Sequence, residues 1–161
     1  MRQEKKVLAC VDKSDYATHV ADYAAWAAAR LSAPIELLHV IDRHPEIAAD
    51  VDRSGSIGVD AQENLLERLS QEEGERSKVI REQGRVFLNQ LRTRCETHTG
   101  LQTDTRQRYG QLLATLKEQE SSVGMYVLGR RGESASHTRR DLGRHGEAMC
   151  RQIRRPIMTV T

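Results

Sequence analysis

Short apolar runs alternate along this chain with longer stretches in which apolar residues recur every three or four positions. The run Lys6 to Val11 (KVLACV) predicts a strand buried on both faces, as in a parallel sheet. Pro34 to Ile41 (PIELLHVI), Met125 to Leu128 (MYVL) and Pro156 to Val160 (PIMTV) predict the second, fourth and fifth strands. Between the first two, Val20, Tyr23, Ala24, Ala27, Ala28 and Leu31 fall at helical spacing and predict a helix over Tyr16 to Leu31, with Ser14 and Asp15 offering N-cap chemistry. Its many alanines allow close packing on a sheet.

Residues 42–60 contain Pro45, Gly55, Gly58 and several aspartates, and predict an irregular connection. A long charged helical stretch follows from Ala61 to Thr99, with Leu65, Leu66, Leu69, Val79, Ile80, Val86, Phe87, Leu88 and Leu91 as its apolar positions. Gly74 and Gly84 each weaken a helix by about 1 kcal/mol relative to alanine, so a bend or break is expected near one of them. Gly100 ends it. Leu101 to Tyr109 alternates threonine and glutamine with charged residues, which suits a strand at a sheet edge. Gln111 to Glu120 and Gly143 to Arg154 predict the last two helices. The order β-α-β-α-β-α-β-α-β is that of an α/β fold: a three-layer, doubly wound, five-stranded parallel sheet formed by residues 1–161 as one domain.

Composition adds limits. With 161 residues, 38% of them hydrophobic, the chain can fill one core, built from Leu, Ile, Val and Ala around a single Trp26 and a single Phe87. Cys10, Cys95 and Cys150 show no C-x-x-C spacing and cannot all pair, which fits a reducing, cytoplasmic setting. There is no signal-peptide pattern at the N-terminus, and no apolar run long enough to span a membrane. The net charge of +2 does not argue for nucleic acid. Its distribution is uneven: Gly129 to Arg155 carries +5, with eight arginines, and the remainder −3. Such a surplus suits an anionic small ligand, an acidic partner or a solvated face equally well.

Ligands of doubly wound sheets settle beyond the carboxyl ends of the strands, where neighbouring strands send their helices to opposite faces. Val11-Asp12-Lys13-Ser14 ends the first strand, and Gly129-Arg130-Arg131-Gly132 ends the fourth, with Gly143 at the start of a helix. Glycines there let backbone approach phosphate oxygens, a helix N-terminus presents free N–H groups, and an aspartate can accept from ribose hydroxyls. Neither G-x-x-x-x-G-K-[ST] nor G-x-G-x-x-G is present. By itself a Gly-x-x-Gly serves equally as a turn, and Asp12 equally as a cap.

The order of the landmarks V-D-K-S, L-H-V-I-D, V-L-G-R-R-G, a G-x-x-x-E and R-R-P-I-M-T-V, spread over nearly the whole chain, resembles the universal stress protein family. The resemblance implies a sheet ordered 3-2-1-4-5, a homodimer paired through the last strand, and a phosphate motif written Gly-x2-Gly-x9-Gly-(Ser/Thr) in the members that bind ATP. Gly129, Gly132 and Gly143 match its glycines, Asp12 the acidic residue that meets ribose, and Val40 the position whose backbone meets adenine. The sequence departs from that pattern twice. Ten residues separate Gly132 from Gly143 instead of nine, and Arg144 stands where the hydroxyl residue is expected. Arg144 either supplies a charge-assisted contact to phosphate or fills the phosphate space itself.

Other candidates carry less. His39, on an apolar strand, fits a packed core histidine, and Cys10 an inert buried thiol. His137, His145 and Cys150 have no established metal spacing. Ser134, Ser136 and Thr138 lie in an arginine-rich stretch that suits phosphorylation by composition alone. No Ser-His-Asp order or carboxylate pair points to catalysis, although slow ATP hydrolysis is a third possibility. The expectation is therefore a regulatory protein that binds ATP or another adenine nucleotide between strands 1 and 4, without a metal site of its own and with a regulatory protein partner that the sequence does not name. Its rival is a nucleotide-free dimeric interaction module with a degraded phosphate motif.

Overall fold

The computed structural model describes residues 5–41, 59–130 and 144–161, with side chains other than those of 59–63, 144 and 145. The chain runs β1 (Lys6–Cys10), α1 (Ala17–Leu31), β2 (Ile35–Ile41), α2 (Val59–Thr99), β3 (Thr103–Tyr109), α3 (Leu112–Gln119), β4 (Val123–Gly129), α4 (Arg144–Gln152) and β5 (Ile157–Val160). The five strands form one sheet in the order β3-β2-β1-β4-β5, and all pair in parallel. This is the expected doubly wound α/β architecture. The central strand β1 is the most apolar in surroundings: Val7, Leu8 and Ala9 are fully buried, because β2 and β4 flank it and helices cover both of its faces.

Alternation along the strands splits the core into two layers. Val7, Ala9, Ile35, Leu37, Val127 and Val160 pack against α1 and α2, and Leu8, Leu38, Tyr126 and Leu128 pack against Leu116 of α3, Met149 of α4 and Ile153 just after it. Helix α1 meets the first layer through Ala17, Ala21, Ala24, Ala25 and Ala28, whose small side chains let it lie close to the strands. Tyr23 and Leu31, expected on that face, are instead exposed, since the sheet-facing stripe is the alanine one. The expected N-cap also differs. Ser14 accepts through its carbonyl from the Ala17 N–H at 3.1 Å, but its hydroxyl donates to Asp12, so α1 starts without a side-chain cap.

Helix α2 departs most from expectation. It is continuous from Val59 to Thr99 and is broken at neither Gly74 nor Gly84, and it takes in residues 59 and 60 from the predicted connection. Residues 42–58 lie outside the described residues. At 41 residues the helix is roughly 60 Å long, whereas a seven-residue strand spans about 23 Å, so only its C-terminal part lies over the sheet. Leu88, Leu91 and Cys95 are buried there, while Leu65, Leu66, Leu69, Val79 and Val86 stay exposed. Arg94 ties α2 to α1 through two hydrogen bonds to Asp22, at 2.7 and 2.8 Å. Gly100, at φ +67°, ends α2 as a left-handed C-terminal residue, its N–H donating to Glu96.

β3 is an edge strand, as its charges imply. Thr103 is buried toward α2 and Asp104, Arg106 and Arg108 are exposed on the other face. β4 begins two residues earlier than predicted, and its register against β1 shifts between Lys6 and Val7, which leaves Gly124 without a paired residue on β1. Near this end a polar group sits in the second layer. The buried Glu36 takes a 2.8 Å ion pair from Lys6, whose ammonium also donates to Gln119 at 3.0 Å, and Arg106 stands 3.6 Å from the same carboxylate oxygen.

Candidate functional site

The carboxyl ends of β1 and β4 are the point at which consecutive helices leave for opposite faces, α1 to the first layer and α4 to the second. Cys10 pairs with Leu38 on one side and Leu128 on the other, and the Val11 N–H continues the ladder to the Leu38 carbonyl at 2.9 Å. Two residues beyond Cys10, that register brings Asp12 level with Val40 on β2 and with Arg130 after β4. Gly129 is the last residue of β4 and is paired with Val160, and the Arg130 N–H donates to the Val160 carbonyl at 2.7 Å. Asp12, Val40 and Gly129 are thus brought to one edge of the sheet. Gly132 and Gly143 lie outside the described residues, as do Ser134, Ser136, Thr138 and His137. Arg144 is the first residue of α4.

Asp12 is half-buried, and one carboxylate oxygen accepts the Ser14 backbone N–H at 3.0 Å and the Ser14 hydroxyl. Local sequence explains this: an aspartate two residues before a serine folds into an Asx-type turn as the strand ends. The carboxylate therefore shapes the turn at the carboxyl edge of the sheet. Lys13 leans away to Gln83 of α2, donating at 3.2 Å.

Beneath Asp12, His39 is buried with its ring edge-on to Phe87, the centroids 5.7 Å apart and the planes at 67°. Burial holds its pKa below the usual imidazole value, Lys13 adds to the depression, and Asp12 opposes it. This is the packed core histidine that its apolar strand predicts. Burial likewise pushes the half-buried Cys10 thiol up to about 12, with Asp12 adding to the rise, which keeps it protonated. Among the described residues no group of three or more His, Cys, Asp or Glu is placed to hold a metal ion, and no helix is long and apolar enough to cross a membrane.

Sequence patterns marked Gly84 only as a weak point of the helix, not as a contact with the sheet. A side chain there would run into the Gln107 amide and come within 3.2 Å of His39 Nδ1, so the glycine lets α2 seat closely on β2 and β3 without displacing either side chain. The available signal was a glycine within a charged helical stretch, which equally predicts a break.

Comparison with known proteins decides the family. The model of the universal stress protein family matches residues 4–161. The chain belongs to this family. A universal stress protein of Synechocystis sp. is 30% identical over 155 residues, covering 96% of this chain, and the chain spans about half (54%) of that relative's length. Two solved universal stress proteins share the fold. UspA from Lactobacillus plantarum superposes with a TM-score of 0.61 at 20% identity and covers all of both chains. A universal stress protein in complex with cAMP superposes with 0.59 at 17% identity, covering 98% of this chain and 97% of the other.

Proposed function

We propose that this universal stress protein is a regulatory binding protein that takes up ATP or another adenine nucleotide in the crevice between β1 and β4. In this reading it acts by binding, not by catalysis, as a cytoplasmic homodimer paired through β5. The observation that carries the nucleotide reading is the convergence of Asp12, Val40 and Gly129 on the one sheet edge where a doubly wound fold receives ligands. A fold neighbour was solved with cAMP, an adenine nucleotide. The arginine surplus after Gly129 supplies charge for phosphates. Free thiols at Cys10, Cys95 and Cys150 suit a reducing compartment.

A specific observation also favours the nucleotide-free module. The family hydroxyl is Arg144, and the Ser14 hydroxyl already engages Asp12. Calorimetric titration with ATP separates the two. Under the nucleotide reading the wild type binds, Asp12→Ala loses about 1–3 kcal/mol, the usual range for hydrogen bonds to a charged group, and Gly132→Val blocks backbone approach to phosphate. Arg144→Ser weakens binding and makes it more salt-tolerant if the guanidinium meets phosphate, and strengthens it if the arginine fills an empty site. Absence of any adenine nucleotide binding, in titration and in native mass spectrometry, leaves the interaction module.

A further inference from the structure

The register aligns four residues across the carboxyl edge of the sheet in strand order: Arg108 on β3, Val40 on β2, then Asp12 and Arg130 just beyond β1 and β4. Paired residues of parallel strands point to the same face. Val40 packs against the second-layer core, on the face that α3 covers, so its direct partner Arg108 also rises on that side. Its neighbours in β3 point the other way: Gln107 reaches Gly84 of α2, and Tyr109 lies under the Arg81 guanidinium at 5.8 Å.

The charges of β3 are not alike. Arg106 stands 3.6 Å from the buried Glu36 carboxylate and helps Lys6 balance it. Arg108 is exposed, and among the described residues it has neither an ion-pair nor a hydrogen-bond partner. Adjacent strands lie about 4.8 Å apart, so an arginine side chain on β3 reaches across the next strand position with length to spare. A planar guanidinium next to a half-buried valine on the same face can hold a flat π-system, because arginine stacks as well as attracts.

We propose that Arg108 is a base-contacting residue of this crevice, its guanidinium lying flat on the purine held beside Val40. This rests on the nucleotide reading above and extends it to a residue outside the Asp12 and glycine positions. The base end of the crevice is then served by β2 and β3, at the opposite side of Asp12 from Arg130.

The full-length wild type, Arg108→Ala, Arg108→Lys and Asp12→Ala are titrated with ATP, adenosine and tripolyphosphate. Arg108→Ala is expected to weaken ATP and adenosine by the same factor, about 2- to 30-fold, and to leave tripolyphosphate unchanged. Arg108→Lys keeps the charge but not the plane, and recovers little of the adenosine affinity. The melting temperature stays at the wild-type value in both, as for an exposed side chain. Unchanged ATP affinity in Arg108→Ala, alongside a loss in Asp12→Ala, overturns the base contact and spares the nucleotide reading. A loss for ATP with none for adenosine also overturns it, because Arg108 then meets phosphate. A wild type that binds neither ATP nor adenosine overturns both.

Discussion

At the end of β1 a single residue serves two ends. The Asp12 carboxylate closes the turn into α1 by accepting from Ser14, and the β1 register sets its backbone level with Val40 at the proposed binding edge. Behind it, His39 is held neutral by burial against Phe87, which gives stability a pH dependence of known sign. The folded-state pKa lies below the ordinary 6.5, so the unfolded chain binds the proton more readily. Stability from this group is complete above pH 6.5 and declines as pH falls from there through the depressed folded value. Urea denaturation of wild type and His39→Phe across pH 5 to 8 should show a steeper acid-side loss in the wild type. Equal slopes would mean that His39 remains as accessible to protons in the fold as in the unfolded chain.

At the scale of an element, the two glycines of α2 look alike in sequence and act differently in the structure. Gly74 faces open space, and Gly84 faces the Gln107 amide and the His39 ring. Gly74→Ala should stabilise the protein by up to about 1 kcal/mol, the difference in helix propensity. Gly84→Leu should cost about 1–3 kcal/mol, because the new side chain must displace the Gln107 amide and the His39 ring or lift α2. Thermal melts of the two variants check both, and a Gly84→Leu as stable as wild type would show that α2 is loosely seated there. Helical periodicity revealed α2 and its end at Gly100. Which of its apolar positions are buried was not legible, since burial depends on how far the helix overhangs the sheet.

For the whole molecule, the two edges of the sheet are protected differently. β3 carries Asp104, Arg106 and Arg108 on its outer face, and charge of this kind discourages pairing with another chain. β5 (IMTV) carries no charge, and Ile157 and Met158 are only half-buried. A two-fold pair through β5, the strand meeting its own copy in the antiparallel sense, would cover that edge. Sedimentation velocity at micromolar concentration should show a dimer, and Ile157→Asp should convert it to monomer. A wild-type monomer, or a dimer indifferent to this substitution, would leave β5 as a bare edge and remove the homodimer from the proposed function.

Sequence by itself determined the α/β class and the five strands in their order along the chain, and it marked Asp12 and Gly129 as strand ends, because strand burial and turn chemistry are local patterns of side-chain type; Val40 was marked by the family resemblance alone. The strand order 3-2-1-4-5 came from the resemblance of spaced landmarks to a family, and the sheet has that order. Only the tertiary structure decided what each polar residue faces. It set Ser14 on Asp12 instead of on the helix N-terminus, placed Glu36 between Lys6 and Arg106, and brought Gly84 onto Gln107 and His39. It also put Arg108 beside Val40. These pairings join residues up to about seventy positions apart, and their partners are fixed by register and helix seating, which no local pattern encodes.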